Sequence, residues 1–129
     1  MNLQALPEEA LKEILSLTEA KKKLDLREVA SEKFMPFAHH VYENFIEGRH
    51  HRVISEKLER VARGELKRLI INMPPRHSKS EFASFLMPAW FLGRNPKLKI
   101  IQATHNTELA VRFGRKVRDL IDDPAYKEI

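Results

Sequence analysis

Arg68–Phe82 reads RLIINMPPRHSKSEF, and the fold turns on how this stretch is read. Leu69–Asn72 (LIIN) is a short apolar run without alternation, the pattern of a strand covered on both faces. Pro74 and Pro75 then break the chain, and SKSEFASFLMPAWFLG continues in helix-forming residues, interrupted near Pro88 and stopped at Gly93. Strand, turn and helix in that order is the setting of a phosphate-binding loop, whose pattern is G-x-x-x-x-G-K-[ST]. Lys79 and Ser80 match its last two positions, while Met73 and Ser78 stand where the glycines belong. The chemistry needs backbone N–H groups at a helix N-terminus, a lysine that reaches the β/γ-phosphates, and a hydroxyl for Mg²⁺. Lys79 and Ser80 supply the last two, Arg76 adds a cation, and two prolines hold the loop entry in place of a glycine. The alternative is a polar strand–turn–helix connection with no ligand.

Outward from the loop, NPKLKIIQAT supplies a second buried-looking strand, Leu98–Ala103. Asn106 is placed to cap a helix whose Leu109, Ala110, Phe113, Val117 and Leu120 share one face, with Arg112, Arg115, Lys116 and Arg118 opposite. Thr104, His105 and Asn106 fall at the end of that strand, where the two readings are a ligand-facing loop and a helix cap. Trp90, Phe82, Phe85 and Phe91 are core candidates. Upstream, Pro7 followed by EEALKEILSL starts a helix with Leu11, Ile14, Leu15 and Thr18 as its apolar stripe. Lys21–Lys23 reads as a solvated helix face. Gly48 and Gly64 divide the next part, and Val53, Ile54, Leu58 and Val61 predict an amphipathic helix over about 51–62 that ends at Gly64.

The predicted fold class is α/β. Residues 1–66 form an N-terminal helical segment, and 67–129 begin a P-loop ATPase domain with a parallel β-α-β-α core. Two strands and their helices cannot cover both faces of a sheet, so further chain or a partner is expected past Ile129.

The 129 residues carry no cysteine, which excludes disulfides and thiolate metal sites. No apolar run approaches the ~18 residues of a membrane span, and the acidic, amphipathic N-terminus differs from a secretory signal. A soluble intracellular protein is expected. The formal charge of +5 permits a polyanionic partner without demanding one. The adjacent pairs His39–His40 and His50–His51 diverge from each other on regular backbone and have no further ligands at zinc spacing.

The block KRLIINMPPRHSKSEFASFLMPAWFLGRNPKLKIIQATHNTELAVRFGRKVRDLI resembles the ATPase domain of tailed-bacteriophage large terminase subunits, the motors that drive viral DNA into a procapsid. In that family the loop commonly reads PPR-x-G-K-S, and Ser78 in place of the glycine is the departure here. The upstream RHHRVISEKLERVARGELKRLI resembles the segment in which a helix packs beside the adenine, placing His50 and His51 near the base. The resemblance implies ATP and Mg²⁺ as cofactors, held by Pro75, Arg76, His77, Ser78, Lys79, Ser80 and Glu81. Lys79 and Arg76 take the catalytic roles, on the β/γ-phosphates and the γ-phosphate charge, and Ser80 holds the metal. It also implies double-stranded viral DNA, the portal protein and the small terminase subunit as partners, a homo-oligomeric ring for the full-length protein, and the cytoplasm of the infected host as location.

The family's apolar strand ending in Asp-Glu and its C-terminal nuclease have no counterpart; the one acidic pair near a turn, Asp122–Asp123, follows a helix. The chain is therefore expected to bind nucleotide without efficient hydrolysis. Two other readings stay open: another P-loop ATPase or helicase-like protein, and a non-catalytic basic module that docks on nucleic acid or a viral assembly.

Overall fold

A computed structural model describes residues 7–42 and 44–129. The reading of residues 1–6 as the start of an acidic, non-secretory N-terminus lies outside them. Six α-helices follow in order: α1 Glu8–Glu32, α2 Phe34–Val41, α3 Arg49–Ala62, α4 Met87–Arg94, α5 Thr107–Asp122 and α6 Pro124–Lys127. A π-wound segment, Glu81–Leu86, runs directly into α4.

The predicted parallel β-α-β-α core is not formed: among the described residues no strand is present. Both apolar runs exist as irregular chain, the first alternating in burial with a two-residue period and the second exposed at Leu98, Ile100 and Ile101. Leu69, Ile71 and Met73 pack on the helical core, while Ile70 is 85% exposed. Further on, Gln102 and Thr104 are half-buried and Ile101 is 96% exposed. A strand is stabilised by the backbone ladder of a neighbour, and neither run forms one with the other or with any described segment. The solid apolar run that reads as covered on both faces is here covered on one.

The helices follow local rules. Pro7 precedes α1, with Glu8 and Glu9 in its first turn at the positive end of the dipole. The α1 stripe, however, is left exposed at Ile14 and Leu15, and the helix buries Ala30. Lys21–Lys23 are exposed, as a solvated face requires. α3 ends in a Schellman motif: Gly64, at φ +75°, donates to Val61, and Glu65 N–H donates to Arg60 O. Asn106 Oδ1 accepts Leu109 N–H at 2.8 Å and starts α5, so the cap reading of that position holds.

Pro88 does not interrupt the helix after the loop. It has no N–H for the carbonyl of Ser84, four residues earlier, and the backbone before it widens into the π-wound turn. The freed Ser84 carbonyl accepts Gln102 Nε2–H at 3.0 Å, which fastens the second apolar run to this helix.

The core is aromatic and draws on both halves of the chain. Phe34 and Phe37 from α2 meet Phe82, Leu86 and Trp90 from the π segment and α4, with Ile54 and Leu58 of α3 and Leu120 of α5 closing the sides.

α4 ends at Arg94, one residue past Gly93, close to the stop expected from the sequence. A Cβ at Gly93 would stand 2.5 Å from Tyr126 Oη and 3.4 Å from Cζ. The Tyr126 hydroxyl donates to Ala89 O at 2.8 Å, and its ring meets Phe37 edge-on, so the clash has little room to relax. Gly93→Ala is expected to destabilise by about 1–3 kcal/mol, although alanine is the better helix former by about 1 kcal/mol. Removing the hydroxyl removes the clash. The double variant with Tyr126→Phe should therefore be less destabilised than the two single losses added, which urea unfolding of all four proteins measures.

Candidate phosphate-binding loop and adjoining groove

Pro74–Ser80 leads from the first apolar run into the helix that continues through the π segment to α4. Its backbone is unusual at two non-glycine residues: Arg76 has φ +64° and Ser78 has φ +58°. L-residues adopt this left-handed region at a cost of about 1–2 kcal/mol each. Ser78 stands at the position where the phosphate-loop pattern has glycine, and it takes the conformation that glycine adopts without strain. Phe82 N–H donates to Ser78 O at 2.9 Å, the first bond of the helix. The N–H groups of Lys79, Ser80 and Glu81 therefore belong to the opening turn, where helix geometry provides no backbone acceptor. Left-handed residues before a helix start are the type of backbone that gathers N–H groups around an anion.

The strain carries a test. Ser78→Gly is expected to equal or exceed the parent in stability by up to about 1 kcal/mol, relief of strain being offset by glycine's larger unfolded-state entropy. Ser78→Val should lose about 2 kcal/mol, because a β-branched residue is a true outlier at this φ. Equal denaturation midpoints for the two variants would count against a left-handed Ser78.

The predicted site residues are brought together unevenly. Lys79 is half-buried, and its Nζ lies 3.5 Å from Met73 O, at the outer limit of a hydrogen bond, so the ammonium is weakly held over the loop. His77 Nδ1–H donates to Pro75 O at 2.9 Å and braces the turn. Arg76 and Ser80 are exposed. Glu81 is directed elsewhere: both carboxylate oxygens accept from Lys116 Nζ, at 2.9 and 3.1 Å, tying the loop helix to α5. Of the loop's two hydroxyls, on Ser78 and Ser80, the exposed Ser80 at the helix start is the one placed for a Mg²⁺ ion by the phosphate-loop pattern. That donor set fits a magnesium carried mainly by phosphate oxygens and water rather than by a protein cage.

Beside the loop runs a groove of about 570 Å³, between Arg49, His50, Val53, Ile54 and Lys57 of α3 and the segment Leu69–Met73. Met73 belongs to both features: its side chain lines the groove, and its carbonyl faces Lys79. The floor is aliphatic and the charged rim is basic, a shape suited to a flat apolar group joined to an anion.

Only one of the two α3 histidines belongs to the groove. His50 lines it, whereas His51 is 5% exposed and turned inward. His51 Nδ1 accepts Gly48 N–H at 2.9 Å, and the ring stacks on Phe82, 4.9 Å between centroids. Burial, then the neighbouring His50, holds its pKa below the ordinary histidine value. The spacing of polar and apolar residues carries no signal of this role; G-x-x-H at a helix start is its one trace. His39 donates to Glu47 at 2.8 Å and His40 to Ala125 O at 3.1 Å. Among the described residues no three His, Asp or Glu side chains gather as metal ligands. Asp122 is paired with Lys127, and Asp123 caps α6 through Ala125 N–H, so both acidic residues have structural tasks.

No family model, curated protein or solved structure matches the chain. No described helix is long and apolar enough to cross a membrane.

Proposed function

We propose that the chain binds a nucleoside triphosphate, with the phosphates on Pro75–Ser80 and the base in the groove beside His50. The left-handed Ser78 carries this reading: a strained serine stands at the glycine position, directly before Lys79 and Ser80 at a helix start. Lys79 meets the β/γ-phosphates, Arg76 the γ-phosphate charge, and Ser80 the Mg²⁺ that arrives with ATP. The wider role is that of a terminase large subunit acting in the infected host's cytoplasm on double-stranded viral DNA, with portal and small-subunit partners. That role is supported by the family resemblance alone, which runs from roughly residue 34 onward and is most specific over 68–121, since a site does not define a motor.

A second reading is favoured by the exposed Arg112 and Arg115 on α5: a non-catalytic basic module that docks on a nucleic-acid backbone. Thermal unfolding separates the two. For a nucleotide site, Mg²⁺-ATPγS and inorganic tripolyphosphate should both raise the transition, and adenosine should not. A basic module would respond to duplex DNA in a salt-dependent way and treat ATPγS as one more polyanion, with no contribution from Mg²⁺ or the base.

A further inference from the structure

His51 occupies a position that tolerates only one protonation state. It is the third residue of α3, and its Nδ1 accepts the backbone N–H of Gly48, the residue that caps the helix. This is half of a capping box, the half that a glycine cap permits. An imidazolium has a proton on each nitrogen and cannot accept. The neutral ring therefore carries its proton on Nε2, which is buried without a partner among the described residues, and the second proton of an imidazolium would fall on Nδ1, facing the Gly48 N–H.

The ring also joins α3 to the π segment that directly follows the candidate loop. It lies against Phe45 and Phe82, at 4.9 Å from each, and Phe82 is the residue whose N–H closes the loop on Ser78. The His50 ring lies tilted against it at 3.9 Å and reaches His77 of the loop at 5.7 Å. Of the charged and titratable groups around the ring, His50 and His77 oppose a positive His51, and Glu47 favours it. Glu47 is already engaged by His39 and Arg52.

We propose that His51 is a pH-operated latch: neutral, it holds the first turn of α3 against the Pro74–Ser80 loop, and protonation releases both. The direction follows from linkage. Burial and His50 lower the folded pKa, so the latch contributes fully above the ordinary histidine value and is lost as pH falls below it toward the lowered one. The latch concerns how the loop is held and operates whichever ligand the loop takes.

Hydrogen exchange of the whole chain at pH 7.5 and 5.5, corrected for intrinsic rates, tests it. At pH 5.5 a released histidine of ordinary pKa is about ten parts protonated to one neutral, so protection at 44–54 and 76–84 should fall, by at most about tenfold. Protection across α5 should stay within about twofold. His51→Gln keeps an acceptor for Gly48 N–H and cannot titrate, so its protection should not depend on pH. An undiminished protection in the parent, an equal fall in His51→Gln, or a fall that extends evenly through α5 would each overturn the latch. Should His51→Gln fail to fold, NMR titration of the parent decides: His51 titrating at or above the ordinary histidine value overturns the proposal, and titration below it, together with opening of the two segments, sustains it.

Discussion

Phe34→Ala is expected to lower stability by about 3–5 kcal/mol, the cost of truncating a phenylalanine in a core that cannot fully collapse around the void. Phe34 is 0% exposed. Its ring meets Phe82 at 5.4 Å and Trp90 at 5.5 Å, both edge-on, and stacks with Phe37 at 6.4 Å. Its own backbone N–H is held by Glu59 Oε1 at 2.9 Å, which pins the start of α2 to α3. The cavity would therefore open where α2, the π segment and α4 converge. Small domains have about 5–15 kcal/mol in total, so roughly a fifth or more would be removed. Trp90, the single tryptophan and a buried one, reports the transition directly by fluorescence. At a urea slope of about 1–3 kcal/mol/M the midpoint should move by more than 1 M. Leu15→Ala, on the uncovered part of α1, should stay within about 0.5 kcal/mol. Equal shifts for the two would mean that the chain is not built around Phe34.

Lys79→Ala is expected to leave the free protein nearly as stable as the parent and to remove most of its response to nucleotide. Among the described residues the ammonium has one marginal hydrogen bond, to Met73 O, to lose in the free chain. With ligand, a charged hydrogen bond to phosphate contributes about 1.5–3 kcal/mol, so its loss weakens binding by roughly 10–100-fold. Ligand at about 100 times the parent's dissociation constant adds roughly 2.7 kcal/mol; in the variant the same concentration should add only about 0.4–1.4 kcal/mol. Thermal unfolding with and without Mg²⁺-ATPγS measures both numbers. A parent that responds and a variant that responds equally would place the nucleotide elsewhere than on this loop. A parent with no response would leave the basic-module reading, for which duplex DNA binding by Lys79→Ala should be unchanged.

How much of this was legible in the residues depends on the range of the interactions. Helices α1, α3 and α5 are set by neighbours three and four residues apart, and their signals lie in the chain itself: Pro7 before Glu8 and Glu9, Gly64 after Ala62, Asn106 before Thr107. Phe82 and Trp90 were recognisable as core for the same reason. The position of the loop was equally local, and the glycine position is occupied by a residue that behaves as one. Helix α2 was not read, because eight residues that contain a proline and two histidines give little periodicity, yet it supplies the centre of the core. The helix stop near Gly93 is local, whereas the packing of Tyr126 against Gly93 comes from 33 residues away and has no local signal.

The amino-acid order alone thus determined the helix starts and ends, the polar turn between an apolar run and a helix, and the cation and hydroxyl within that turn. Only the tertiary structure decided that Leu69–Asn72 and Leu98–Ala103 remain unpaired, that Glu81 faces Lys116 rather than the loop, and that His51 turns inward while His50 lines the groove. Backbone capping and periodicity act over one or two turns of chain and are written where they act. Strand pairing, ion-pair choice and side-chain burial depend on groups brought close by folding, and a run such as LIIN has the same composition whether or not a neighbouring strand arrives.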